Sequence, residues 1–148
     1  MITEPTLYYL SRQKIKDADV LFRHGRNNAS IYLMGYALEF CLKRKISQAF
    51  GFAQGFPENN ADFNSYSSQV SRFNALSTGI RLSSIRHHRL DDLLTYSGLR
   101  PRITAMFYSE WLIVTAWNPE QRYIRTRITR KRAYAFIRAA KINLREIY

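Results

Sequence analysis

The sequence has 148 residues and only one cysteine, Cys41. A single thiol excludes an internal disulfide framework and a zinc site built from several thiolates, and it favours a reducing compartment. No stretch of apolar residues is long enough to cross a bilayer, and the N-terminus mixes acidic and basic residues in a way that export signals do not. We therefore expect a cytoplasmic protein that does not associate with a membrane.

Acidic residues are also scarce. Eleven Asp and Glu stand against 23 Lys and Arg, which gives a formal net charge of +12. The excess is concentrated in residues 121–148, where seven Arg and two Lys accompany one acid, Glu146. Because a guanidinium holds phosphate at two points and also stacks on bases, nucleic acid is the first candidate partner. An acidic protein surface, or a solvated face that aids solubility, is the alternative.

Only three histidines occur, and His87 and His88 are adjacent, so they cannot easily face one metal ion from a helix. Glycine-rich phosphate loops, His-Glu-x-x-His pairs and nucleophile elbows are missing from the sequence. We therefore expect no metal site and no cofactor. Cys41 lies between apolar residues, which is typical of a small buried side chain.

Helical periodicity recurs along the chain, while the alternation typical of strands is rare. Together with the length, this predicts one all-α domain over residues 1–148, an antiparallel bundle of four to five helices. A long connection is expected at about 51–87. The predicted helices cover 6–23, 29–50, about 66–76, 89–97, 101–118 and about 129–147.

The second predicted helix has apolar residues on most sides, which indicates a buried central position. Asn28 is its expected N-cap. Gly35 costs helix propensity by about 1 kcal/mol relative to Ala, which a close approach by a neighbouring helix would offset. Glu39 and Lys43 have the spacing of an intrahelical ion pair that organises the bundle, and a catalytic role for Glu39 is the alternative.

The last predicted helix, with Thr129 as its cap, separates into two faces. Its apolar arc contains Ala133, Phe136, Ile137, Ala140, Leu144 and Ile147. The opposite arc carries cations, which we expect to contact phosphates, and a tyrosine placed to stack on a base. The predicted nucleic-acid-binding residues are Arg130, Lys131, Tyr134, Arg138, Lys141 and Arg145.

Three segments resemble HEPN domains, the higher eukaryote and prokaryote nucleotide-binding superfamily. Residues 21–43 carry the pattern LF-x2-GR-x2-A-x2-YL-x-GY-x2-E-x2-LK, which resembles the first two helices of the family. Residues 88–94 read H-x-LD-x-LL and residues 117–123 read WNPE-x-RY, similar to two later elements. The second of these precedes the last helix in one bacterial branch, and there Arg122 and Tyr123 are expected to organise the bundle.

The resemblance implies an antiparallel helical bundle, usually a homodimer, from toxin–antitoxin, phage-defence or CRISPR-associated systems. Many members cleave RNA without a metal ion, using an Arg followed after four to six residues by a His. The imidazole relays the 2′-hydroxyl proton, and the guanidinium stabilises charge on the phosphate. In this sequence Arg81 with His87 or His88 has that spacing.

We therefore expect an RNA-binding dimer that acts as a metal-independent endoribonuclease or toxin through Arg81 and His87 or His88. The alternative is a catalytically silent module that binds nucleotide or RNA, or a partner such as an antitoxin or a nucleotidyltransferase. His88 has a second interpretation as well, as a buried residue that orients the short helix after it.

Overall fold

The computed structural model describes residues 1–69, 71, 85–123 and 125–148. Over these ranges the chain is all-α, as predicted, and the only extended pairing is an isolated bridge between Ile2 and Phe56. Its helices are α1 (Glu4–Arg23), α2 (Asn27–Phe50), α3 (Asn60–Ser65), α4 (Leu90–Tyr96), α5 (Arg100–Met106), α6 (Tyr108–Thr115) and α7 (Arg130–Ile147), with a 3₁₀ turn at Pro119–Tyr123.

Helices α1 and α2 form an antiparallel hairpin. The chain reverses at Gly25, whose φ of +73° is a conformation that glycine adopts without steric cost. Glu4, at the start of α1, accepts a 3.0 Å hydrogen bond from the guanidinium of Arg44, near the end of α2. Midway along the pair, the Ser11 hydroxyl donates to the Ala37 carbonyl at 2.8 Å.

Helix α7 runs antiparallel to α1, so the three long helices pack side by side. Its N-cap is Thr129, as predicted, and the side chain of Thr129 accepts from the Arg132 amide at 3.3 Å. At the other end of the helix, the Tyr148 hydroxyl lies 2.7 Å from the Ser11 hydroxyl on α1. All six residues of the predicted apolar arc are buried.

Helix α2 is the centre of the molecule, as its apolar residues predicted, and it is buried along most of its length. A Cβ atom on Gly35 would lie 2.1 Å from the indole of Trp117. The close approach expected at Gly35 is therefore made by an aromatic ring and not by the backbone of another helix.

The prediction that Asn28 caps α2 is wrong. The helix begins at Asn27, and its cap residue Arg26 makes no side-chain capping bond. The Asn28 side chain donates to the Thr126 carbonyl at 2.8 Å and accepts from the Ile128 amide at 2.9 Å. Its amide thus satisfies two backbone groups of the segment before α7, where a cap would satisfy one.

The single helix predicted from Pro101 to Asn118 is wrong, because the chain forms α5 and α6 with a break at Phe107. There the backbone has φ −137° and ψ 32°, outside the helical region. In the long connection, α3 was not predicted. Of the helix expected near 66–76, residues 67–69 are helical, and most of the remainder lies outside the described residues.

Candidate nucleic-acid groove and histidine cluster

An open groove of about 520 Å³ runs between the C-terminal part of α1 and α7. The apolar arc of α7 packs inward, so its cationic arc faces this groove. The cations that line the groove are Arg23, Arg130, Arg138, Lys141 and Arg145. Five of the six predicted nucleic-acid-binding residues, the four cations of α7 and Tyr134, are thus brought together.

Lys131 is exposed but does not line the groove. Arg23 does line it, although no local signal distinguished this residue in the sequence. Its position follows from the packing of α1 and α7 on α2, which only the folded chain establishes.

Two aromatic side chains lie beside these cations. The ring of Tyr134, which is 56% exposed, lies 6.4 Å from the ring of Phe22. The Arg130 guanidinium stands 4.5 Å above the same Phe22 ring and donates to the Phe22 carbonyl at 3.2 Å. Exposed π surface among guanidinium groups is a surface on which an unpaired base stacks.

One acid, Asp19, is among the residues that line the groove. Its carboxylate forms an ion pair with the Lys141 ammonium at 2.7 Å. Arg138 and Arg145 are exposed and form no ion pair with any described residue. These two guanidinium groups are therefore available to a ligand without the loss of an existing contact.

On α2, the carboxylate of Glu39 is buried and engaged on both sides. Its Oε1 lies 2.7 Å from the Lys43 ammonium, and its Oε2 accepts from His88 Nδ1 at 2.8 Å. The ion pair of Glu39 with Lys43 that their spacing favours is thus present, with His88 as a third member. The His88 side chain is 48% exposed, whereas the orienting role expected for it assumed a buried ring.

A carboxylate on one imidazole nitrogen fixes the ring and leaves the other nitrogen to act on a ligand. In His88 that nitrogen is Nε2, which has no hydrogen-bond partner in the described part of the chain. His87 is exposed and makes no such contact with Glu39. Arg81, which the sequence paired with these histidines, lies outside the described residues.

Two tyrosines connect His88 to the 3₁₀ turn. The Tyr36 ring lies edge-to-face with His88 at 5.9 Å and with Trp117 at 5.1 Å. The Tyr32 hydroxyl donates to the Tyr36 hydroxyl at 3.4 Å, and the Arg122 guanidinium lies close enough to Tyr32 to lower the pKa of Tyr32. Arg122 therefore joins the turn to α2.

Tyr123, which was also expected to organise the bundle, is 70% exposed. Its ring lies 4.7 Å beneath the Arg122 guanidinium. Of these two residues, Arg122 is the one with a contact to α2.

The two tyrosines have opposite pKa shifts. Burial, with a smaller contribution from the hydrogen bond to Tyr32, raises the pKa of Tyr36 well above its usual range. The hydrogen bond to Tyr36 lowers the pKa of Tyr32, and Arg122 lowers it further. Tyr36 therefore keeps its hydroxyl proton and can donate it to a ligand at neutral pH.

Among the described residues, no group of His, Cys, Asp and Glu side chains is arranged to hold a metal ion. None of the helices in the described ranges has the length and apolar character of a membrane span. Comparison with known proteins finds no matching family model, no matching curated protein and no matching solved structure. The likeness to HEPN domains thus rests on the residue patterns alone.

Proposed function

We propose that the chain is a HEPN-like RNA-binding protein and that the groove between α1 and α7 holds the phosphates of a single RNA strand. The observation that carries the proposal is the lining of the groove, where five cations surround an exposed Tyr134 and one acid. Clustered guanidinium groups bind phosphate with little regard to sequence. An exposed tyrosine favours a single strand, because its ring can stack only on an unpaired base.

A double variant, Arg138→Ala with Arg145→Ala, tests this groove. Both residues lie on the exposed face of α7 outside the core, so we expect the variant to fold normally. Loss of two phosphate contacts should weaken binding of a fluorescein-labelled single-stranded RNA at least tenfold. The slope of log K against log salt should fall by about 1.4, at about 0.7 per contact on a single strand. Fluorescence anisotropy over a salt series measures both quantities.

The matched control is Lys45→Ala with Arg125→Ala, which removes the same charge from positions that do not line the groove. We expect this control to bind RNA nearly as the parent protein does. Equal losses in the two double variants would mean that net charge, and not the groove, attracts the RNA.

A second candidate function is metal-independent RNA cleavage, and the contact of Glu39 with His88 favours it. We expect His88→Ala to lower cleavage of single-stranded RNA in the presence of EDTA by about 100-fold to 10,000-fold, the usual range for loss of a general base. His87→Ala should have the smaller effect, because His87 has no carboxylate to orient it. RNA binding by the parent protein without turnover would instead support the catalytically silent alternative.

We also propose a cytoplasmic homodimer, with an antitoxin or a nucleotidyltransferase as a further partner. Large aromatic side chains are typical of interfaces, but Trp111 and Trp117 are buried within the chain, with 1% and 4% of their surfaces exposed. The exposed apolar side chains of α5 and α6 support the dimer. These are Met106, Tyr108, Leu112 and Ile113.

A further inference from the structure

We propose that Tyr36, His88 and Arg122 form the phosphate site of the cleavage reaction, in which Arg122 holds the scissile phosphate and His88 takes the 2′-hydroxyl proton; this rests on the ribonuclease activity proposed above. The three residues come from α2, from the segment before α4 and from the 3₁₀ turn. They are brought together because the 3₁₀ turn packs on α2 and because the Tyr36 ring contacts both His88 and Trp117, the residue two positions before the turn.

Each of these residues has a hydrogen-bonding group left for a ligand. The Tyr36 hydroxyl accepts from Tyr32, and its own proton has no acceptor among the described residues. The Arg122 guanidinium is exposed and presents more N–H groups than the neighbouring Tyr32 hydroxyl can accept. His88 contributes Nε2. A planar guanidinium, a hydroxyl and an imidazole together can surround a tetrahedral oxyanion.

The charges around the cluster select an anion. Its one buried carboxylate, Glu39, is already engaged by Lys43 and His88. Arg89, beside His88, is 76% exposed and has only a 3.4 Å contact with Asp92. A phosphate that approaches this surface therefore meets guanidinium groups. The Glu39 carboxylate does not repel it strongly, because that carboxylate is already paired with Lys43.

The site is also held in place before a ligand arrives. Trp117, which is buried against Gly35, and His88 both lie edge-to-face with the Tyr36 ring. Glu39 positions the imidazole through Nδ1. Groups fixed in this way need little rearrangement when charge develops on the phosphate.

The chemical step is an internal transesterification. His88 Nε2 accepts the proton of the 2′-hydroxyl as the 2′-oxygen forms a bond to phosphorus. The bond between phosphorus and the 5′-oxygen breaks, and that oxygen takes a proton from water. The products are a 2′,3′-cyclic phosphate and a 5′-hydroxyl, and His88 then returns its proton to the solvent. Arg122 and the Tyr36 hydroxyl stabilise the charge on the non-bridging oxygens.

Kinetics of RNA cleavage provide the first test. We expect Arg122→Ala to lower kcat by about 100-fold with little change in KM, because its guanidinium acts mainly on the charge of the transition state. Arg122→Lys should recover only part of this loss, since an ammonium cannot hold two oxygens at once. The matched control is Arg125→Ala, an exposed arginine two residues beyond the turn, which should cleave RNA as the parent protein does.

Binding of a nucleotide provides a test that does not depend on turnover. We expect uridine 3′-monophosphate to shift the NMR signals of the His88 imidazole, and uridine without phosphate to leave them unchanged. Arg122→Ala should weaken this binding about tenfold, because the dianionic monophosphate carries the extra charge that the substrate diester gains only in the transition state, and Arg125→Ala should not. The melting temperature of each variant shows whether it has folded.

The two tests separate this site from the activity on which it rests. If RNA is cleaved and Arg122→Ala cleaves it as fast as Arg125→Ala, the role of Arg122 is refuted while the ribonuclease activity stands. If RNA is not cleaved, the ribonuclease activity fails, and the nucleotide titration decides whether the phosphate site exists. A titration in which His88 does not respond, or responds equally in Arg122→Ala, overturns the site.

Discussion

The contact of Gly35 with Trp117 shows how one residue type can be dictated by a distant side chain. Alanine normally stabilises a helix relative to glycine by about 1 kcal/mol. At position 35, however, the added Cβ would lie 2.1 Å from the indole, far inside van der Waals contact. The ring would have to move, and it is buried beside Tyr36.

We therefore expect Gly35→Ala to destabilise the protein by about 1–3 kcal/mol, the usual cost of overpacking a core. Urea unfolding followed by circular dichroism measures this change. Trp117→Ala alone should cost about 3–5 kcal/mol because it leaves a cavity. In the double variant the alanine methyl has room, so the combined loss should be smaller than the sum. A stabilising Gly35→Ala would show that the ring does not occupy this position.

At the scale of helices, the sequence predicted correctly those features that depend on residues within one segment. The two faces of α7 and its Thr129 cap follow from periodicity and capping chemistry within one segment. The hydrogen bonds of Asn28 to the segment before α7 join residues about 100 positions apart. Arg23 and the α7 residues that line the groove with it are equally distant in the sequence. The break between α5 and α6 at Phe107 was not predicted. A one-residue interruption hardly changes the positions of the flanking residues around the helix axis, so the helical periodicity of the sequence continues through it.

The histidine cluster shows the same division between local and distant contacts. The pairing of Glu39 with Lys43 is an i, i+4 contact that their spacing predicted. Its extension to His88 depends on how the segment before α4 packs against α2, and the sequence contains no spacing that encodes this. The contact of Arg122 with Tyr32 is of the same kind.

If the groove binds RNA as we propose, the ion pair of Asp19 with Lys141, which joins α1 to α7, should limit its affinity. Asp19→Asn removes the one acid found among the described residues of the lining and releases Lys141 from its partner. A partly exposed pair of this kind is worth up to about 1 kcal/mol, so we expect RNA affinity to rise about three- to fivefold in anisotropy measurements. Asp17→Asn, on the same helix but outside the groove, is the control. Equal gains in both variants would mean that only net charge has changed.

At the scale of the whole molecule, the exposed apolar side chains of α5 and α6 are the best candidates for contact with a second copy. We expect light scattering at micromolar concentration to give twice the mass of one chain. Leu112→Glu, which places a charge among these side chains, should shift the protein toward the monomer. A dimer insensitive to this change would place the interface elsewhere, and a parent protein that is strictly monomeric would contradict the dimer.

The two hydrogen bonds of Asn28 also have a consequence for evolution. Together with the bond that the Asn27 side chain donates to the Ile128 carbonyl at 3.0 Å, they hold the chain where it enters α7, and α7 forms one wall of the groove. Aspartate has nearly the same shape but cannot donate to the Thr126 carbonyl, and serine is too short to replace both bonds. Selection for RNA binding would therefore constrain residue 28 as well as the arginines, although Asn28 does not line the groove.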